Sequence, residues 1–423
     1  MKIDELVPML IPSKAQKKFL ILCALGWIAV AAGVMLMPFT LPAIITQWNL
    51  SAMEAGTLAS ATFMGMLLGA LISGIVADLT GRKYANLIFL FLTSIVTALN
   101  GFAGSPKSFT ILRFISGIGY GGLLPSVNAY LSELTSIKLR GRYLVYLETS
   151  WAIGSILIGL FAVTVGARWG WRSVYHVMAV FGLLIIPFAL APESPKYLFL
   201  KGGVSALEKQ FKVKIEHEIE PVKRVSVPFT SLFSKEYRNL TIMVWVSWFV
   251  VSFVYYGIFI WLPKVFANKG IGEVRSMWFT FLMMVAQLPG YLSVAYLIER
   301  TGRKLTLAVY FFGTAVSTLI FAWATNLTVF VIAALVTSFF CLGVWGLVYA
   351  YTPELFPTAF RGTANGMAGV MARIAGIIAP YFTGYFLKNK AVIDALIWFA
   401  VLSVIAGLVV LLLGVETKGK AVE

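Results

Sequence analysis

Residues 74–83 read GIVADLTGRK, and residues 296–304 read YLIERTGRK. Each stretch sets an acid and a Gly-Arg-Lys triplet within six positions, between long runs almost free of charge. A shift of 221 positions lays Asp78 on Glu299, Gly81 on Gly302, Arg82 on Arg303 and Lys83 on Lys304. The same shift carries YLSELTSIKLRGR (130–142) onto YTPELFPTAFRGT (351–363), aligning Tyr130 with Tyr351, Glu133 with Glu354 and Arg140 with Arg361. It also pairs Trp27 with Trp248, Pro42 with Pro263 and Gly69 with Gly290. Chance apolar similarity does not hold register across charges, glycines and prolines together, so the chain reads as an internal duplication.

The 423 residues are 59% hydrophobic and 12% charged, against about 25% charged in soluble domains. That composition predicts an all-α integral membrane protein. The net charge of +16 raises nucleic acid as a partner, but the bases sit in short blocks between apolar runs and form no basic face. Spanning a bilayer takes about 20 mostly apolar residues. Cutting at glycine, proline and charge gives twelve such runs, at 18–44, 54–77, 84–104, 108–134, 143–166, 173–192, 239–263, 275–298, 305–325, 328–350, 364–387 and 391–414. The first is too long for a signal peptide and lacks a small-residue cleavage site, so it is expected to stay as a spanning helix. Cys23 and Cys341 lie in apolar runs, and neither a disulfide framework nor a metal site is readable.

With both termini in the cytoplasm, most of the 34 Lys and Arg fall on the cytoplasmic side, as the positive-inside rule requires. The polar stretch 193–238 reads as a cytoplasmic linker between a bundle at 1–192 and a bundle at 239–423. Six helices per repeat is an even number, so both repeats enter the membrane in the same sense, giving a parallel repeat about a pseudo-twofold axis along the membrane normal. The expected partners are the lipid bilayer and a small-molecule substrate bound near the midplane, reached alternately from either side, with a monomer as the working unit. Nothing reads as a phosphate loop, metal cluster or nucleophile triad, so an enzyme is not expected.

These motifs resemble the major facilitator superfamily over essentially the whole chain. GIVADLTGRK is similar to its loop between helices 2 and 3, and Arg113 with Gly117, Gly119 and Gly121 is similar to its helix 4 pattern. PESPKYL (192–198) and PELFPTAFRG (353–362) are similar to motifs of sugar porters, organic-ion transporters, nicotinate permeases and aromatic-acid/proton symporters. Helix 7 (VWVSWFVVSFVYYGIFIWLP) lacks the Gln/Asn cluster of sugar porters, and its YYG ending looks more like the organic-ion branch. Helix 1 lacks the acid usual in aromatic-acid symporters. The resemblance implies a secondary transporter with rocking alternating access. It also implies a cytoplasmic gate of ion pairs and helix-end contacts from Asp78, Gly81, Arg82, Glu133, Arg140 and Glu193 in one half and Glu299, Arg303, Glu354 and Arg361 in the other. The alternative for these charges is topology plus weak surface pairs.

An ionised side chain at the bilayer centre costs roughly 2.5 to 3.5 kcal/mol or more and needs a reason. Arg373 lies about nine residues into the eleventh run, about 14 Å deep at 1.5 Å per residue. Its guanidinium suits a carboxylate, or it is a structural lock on helix carbonyls. Glu148, about five residues inside the fifth run, is the one acid well inside a helix and the expected carrier of a coupling proton, with a fixed ion pair as its alternative. Arg113, about five residues from the outer end of the fourth run, has a place to snorkel or to assist coupling. His176 begins the sixth run, where interfacial packing is favoured over proton handling. Tyr120, Trp151, Tyr255, Tyr256, Gln287 and Trp345 are the uncharged candidates to stack and hydrogen-bond a flat substrate, and ordinary interhelical packing is the plainer role for each. The predicted activity is proton symport of a small organic anion, a monocarboxylate or aromatic acid, in a plasma membrane, with protons and no cofactor. A sugar or neutral-solute porter, a facilitator, and a non-transporting receptor of the same fold are the alternatives.

Overall fold

The computed structural model describes residues 3–216, 219–220, 229–268, 270–357, 361–389 and 391–418. Twelve long helical runs dominate them. In the first half these are α1 (Ser13–Trp48), α2 (Ala52–Thr80), α3 (Arg82–Phe102), α4 (Pro106–Leu134), α5 (Ile137–Trp169) and α6, built from Trp171–His176, Val177–Leu184 and Ile185–Leu190 in succession. In the second they are α7 (Arg238–Phe259), α8 (Glu273–Val285 and Gln287–Thr301), α9 (Arg303–Trp323), α10 (Leu327–Tyr351), α11 (Arg361–Lys388) and α12 (Val392–Leu413). No strand occurs among the described residues. Eleven spans are long and apolar enough to cross a membrane. The 29-residue α4 has the length, but glycines, serines and Arg113 dilute its apolar character. The protein is therefore an all-α, multi-pass membrane protein of twelve helices in two six-helix halves. Of the expected linker, Pro195–Phe211 is helical, and residues 217–218 and 221–228 lie outside the described residues.

By compactness the chain divides into one unit of Met1–Leu36 with Met64–Arg224 and another of Met37–Phe63 with Val225–Glu423. The boundary expected from sequence, at 192 and 239, left residues 37–63 with the first bundle. Small residues explain why this stretch groups with the second unit. Ser60 Oγ donates to the Ile377 carbonyl at 2.6 Å, and Gly56 sits against the Pro380 backbone. The Phe63 and Tyr256 rings approach to 4.3 Å. The break falls beside Pro38 and Pro42 of α1, each of which removes an N–H from the helix ladder.

The duplication is visible in packing inside each unit. The Ile118 carbonyl lies against Gly69 and the Phe339 carbonyl against Gly290, again 221 positions apart. At these two crossings a side chain would force the backbones apart, which is why small residues recur at membrane helix contacts.

Gly81 and Gly302, which open α3 and α9, have φ of +98° and +90° with ψ of 162° and 171°. That backbone region is essentially closed to other residues. A Cβ at either glycine would collide with a carboxylate, that of Glu193 or of Glu416. Gly302→Ala should therefore lower stability by about 1–3 kcal/mol. Gly74→Ala, where a Cβ meets open space, should not lower it, because alanine is the better helix former. Thermal unfolding of the two variants side by side in detergent measures the difference.

Candidate functional site

The charges expected at the loop end of each half form one network, built twice. In the first unit Arg82 pairs with Asp78 at 2.8 Å and with Glu133 at 3.1 Å. Ser194 Oγ donates to the same Glu133. The Glu193 carboxylate accepts the backbone N–H groups of Arg82 (3.0 Å) and Lys83 (3.2 Å), and Tyr130 Oη donates to the Pro192 carbonyl at 2.5 Å. In the second unit Arg303 pairs with Glu299 at 3.3 Å and Glu354 at 3.0 Å, and Thr417 Oγ1 donates to Glu354 at 2.5 Å. Glu416 accepts from the N–H groups of Arg303 (2.9 Å) and Lys304 (3.2 Å), and Tyr351 Oη donates to the Val415 carbonyl at 2.5 Å. A carboxylate at a helix N-terminus satisfies donors that have no partner within the helix and complements the helix dipole. Arg140 donates to the Thr135 carbonyl at 3.4 Å and pairs with Asp4 at 3.2 Å. Its counterpart Arg361 donates to the Phe356 carbonyl at 3.3 Å.

Sequence reasoning missed Ser194, Glu416 and Thr417. Glu193 and Glu416 stand 223 positions apart, two beyond the common shift, so strict register hides the match. The residual signal was the pair ES at 193–194 and ET at 416–417, each just beyond the last helix of its half.

The two caps differ in electrostatics. Burial pushes the Glu193 carboxyl above its ordinary value, against N–H donors from Ser194, Lys83 and Arg82. At Glu416 burial also pushes upward, but N–H groups of Arg303, Lys418, Lys304 and Thr417 outweigh it and hold the carboxyl below 4.5.

Arg113 does not snorkel to the surface. It is 1% exposed and donates to the Gly33 carbonyl at 3.1 Å and to Tyr120 Oη at 3.2 Å. Tyr120 Oη also meets Thr97 Oγ1 at 2.6 Å, and the guanidinium lies over the Tyr120 and Tyr175 rings. These bonds satisfy a cation that hydrocarbon would not solvate. Glu148 and Trp151 are half-buried one helical turn apart on α5, hence on one face. Among the described residues Glu148 has no hydrogen-bonding or ionic partner. The His176 ring packs at a tilt against Phe102, centroids 4.4 Å apart.

The remaining candidates converge in the second unit. Arg373, half-buried near the middle of the 28-residue α11, is hydrogen-bonded to Tyr256. The Tyr256 ring lies 5.1 Å from Tyr255 and 6.4 Å from Trp345. Gln287, which restarts α8 after its break at Ala286, reaches Tyr255 Oη through Nε2 at 3.5 Å. Phe63, Trp248 and Tyr349, not singled out from sequence, complete the aromatic wall. Trp345 packs edge-on against Trp248 at 5.7 Å and stacks with Tyr349 at 5.8 Å.

The duplication supplies an internal control. Shifted back by 221, Arg373, Trp345, Gln287, Tyr255 and Tyr256 fall on Ala152, Leu124, Met66, Val34 and Met35. All five are apolar, and all are buried. The fold thus fills these places with aliphatic side chains in one half, and the polar set in the other is an addition to it.

Residues 13–423 match the family described as sugar (and other) transporter. The chain belongs to that family. It is 36% identical over 414 residues to NiaP of Bacillus subtilis (strain 168), covering 97% of this chain and 98% of that protein. It is 33% identical over 413 residues to the niacin transporter NiaP of Acinetobacter baylyi, covering 94% of each. Organic cation/carnitine transporter 7 of Arabidopsis thaliana is 27% identical, covering 99% of this chain and 95% of that one. Among solved structures, the inward-open xylose transporter XylE of E. coli superposes with a TM-score of 0.77 at 18% identity over 96% of this chain and 98% of that one, a likeness of fold. The protein is a secondary transporter of the major facilitator type and not an enzyme.

The Glu416 cap carries a pH signature. A carboxyl held low in the folded state keeps its stabilisation above 4.5 and loses it as pH falls through the folded value, because the unfolded chain binds the proton first. Glu416→Gln should therefore flatten the fall in melting temperature between pH 5.5 and 3.5 in this transporter, read by thermal melts in detergent at closely spaced pH.

Proposed function

We propose that this transporter carries a small heteroaromatic monocarboxylate, niacin or a close analogue, by proton symport. The observation that carries the reading is Arg373. It is a guanidinium half-buried in the middle of a membrane helix, hydrogen-bonded to a neutral tyrosine, and without a carboxylate partner among the described residues. A cation in that setting gains from a counter-charge, and a planar carboxylate meets a guanidinium in two-point contact. The rings of Tyr255, Tyr256 and Trp345 suit a flat substrate. The name of the Acinetobacter relative points to the same chemistry.

Glu148 is the proton carrier in this reading, exchanging between ionised and neutral forms as its exposure changes. The loop-end networks around Arg82 and Arg303 act as the cytoplasmic gate, with both termini on that side of the plasma membrane. The protein works as a monomer, and protons are its coupling ion. Substrate drives the change of state only through its different affinity for the two states.

Liposomes holding the purified protein should accumulate niacin under an inward proton gradient, with hexoses failing to compete. Arg373→Gln should weaken niacin binding by 10- to 100-fold, as loss of a charge-assisted contact worth about 1.5–3 kcal/mol implies. Glu148→Gln should abolish gradient-driven accumulation while leaving exchange of labelled for unlabelled niacin. Equal uptake by wild type and Arg373→Gln would sink the assignment, and competition by hexoses alone would favour a sugar porter.

A further inference from the structure

Trp345 is 6% exposed, and its indole Nε1–H has no hydrogen-bond partner. The buried tryptophans of α7 and of the turn that follows it, by contrast, are satisfied. Trp248 Nε1 donates to Thr352 Oγ1 at 2.9 Å and Trp261 Nε1 to the Pro380 carbonyl at 3.0 Å. A buried donor left unpaired is unfavourable and rare. Packing does not demand it, because the matching position of the first unit is the equally buried Leu124. Gln287 Oε1 is the second unpaired polar atom of the same aromatic cluster. Its amide reads as acceptor or donor depending on which way the group is turned. The indole has no such freedom: it donates only.

We infer that Trp345 is a specificity-determining residue that donates its indole N–H to an acceptor atom in the substrate ring. This rests on the carboxylate reading of Arg373. Tyr256 links the two groups, hydrogen-bonded to Arg373 and with its ring 6.4 Å from that of Trp345. A ligand anchored by its carboxylate at Arg373 places its ring among Tyr255, Tyr256 and Trp345. A ring nitrogen lone pair then satisfies the indole. A ring C–H at the same place leaves the donor unpaired and is penalised, which is how a buried polar group rejects an analogue of identical shape. Trp345 in this account separates pyridine carboxylates from benzoates, while Arg373 separates acids from neutral molecules.

The test compares pyridine-3-carboxylate with benzoate, which differ by one ring nitrogen, on the full-length purified transporter by equilibrium binding. Wild type should bind the pyridine acid at least tenfold more tightly. Trp345→Phe should bring the ratio near one by weakening the pyridine acid and leaving benzoate unchanged. Replacing the Trp345 indole with benzothiophene, which exchanges N–H for sulfur and keeps the shape, should do the same, so that loss of packing in the phenylalanine variant does not decide the matter. An unchanged ratio in the benzothiophene protein overturns the inference, as does a wild type that binds both acids equally while still depending on Arg373. A wild type that binds neither acid overturns the carboxylate reading itself, and the inference with it.

Discussion

Hydrocarbon offers no hydrogen bonds, so a polar group in the span of this protein is costly unless another part of the chain or a ligand answers it. Much of the structure follows from that constraint. Arg113 is answered by Gly33, Tyr120 and the faces of two rings. The first N–H groups of α3 and α9 are answered by Glu193 and Glu416. Arg82 and Arg303 are answered within their own units, and by matching acids in both. Other buried polar atoms also go unpaired, Asn86 and Ser252 among them, but Arg373 without a carboxylate, the Trp345 indole N–H and Gln287 Oε1 gather in one aromatic cluster.

The duplication separates architecture from function without any second protein to compare. What both halves keep is scaffold: the Arg82/Arg303 pairs, the tyrosines that bond the chain beyond the sixth helix, and the glycines where helices cross. What one half keeps alone is chemistry added to that scaffold. Arg373 set over Ala152 is the plainest case, because it rules out the argument that the fold needs a cation at that point. The same comparison applies in the other direction to Arg113 and Glu148, whose counterparts are Ala334 and Gly369.

Much of this was legible in the sequence because charge is scarce there. With so few ionisable residues, an acid, a glycine and a base at fixed spacing stand out, and their recurrence marked the loops and the set of charges among which Arg82 and Arg303 find partners, while the uncharged runs between them gave the twelve helices. Three things were not legible. Glu416 escaped because two extra residues moved it out of register. The burial of Arg113 escaped because residue counting gives depth along the membrane normal and not which way a helix face turns. The unpaired state of Trp345 escaped because satisfaction is a property of three-dimensional neighbours: Trp248 and Trp345 look alike in sequence and differ in whether a threonine hydroxyl lies within reach.

The two caps also set an order of assembly. Each unit holds its second-to-third helix turn with residues that follow its sixth helix, so each closes only after its own last element has been made. During synthesis the first unit has Glu193 and Ser194 in hand before α7 exists, and its loop end settles as an independent body. The second keeps the start of α9 uncapped until Glu416, beyond α12, has been made.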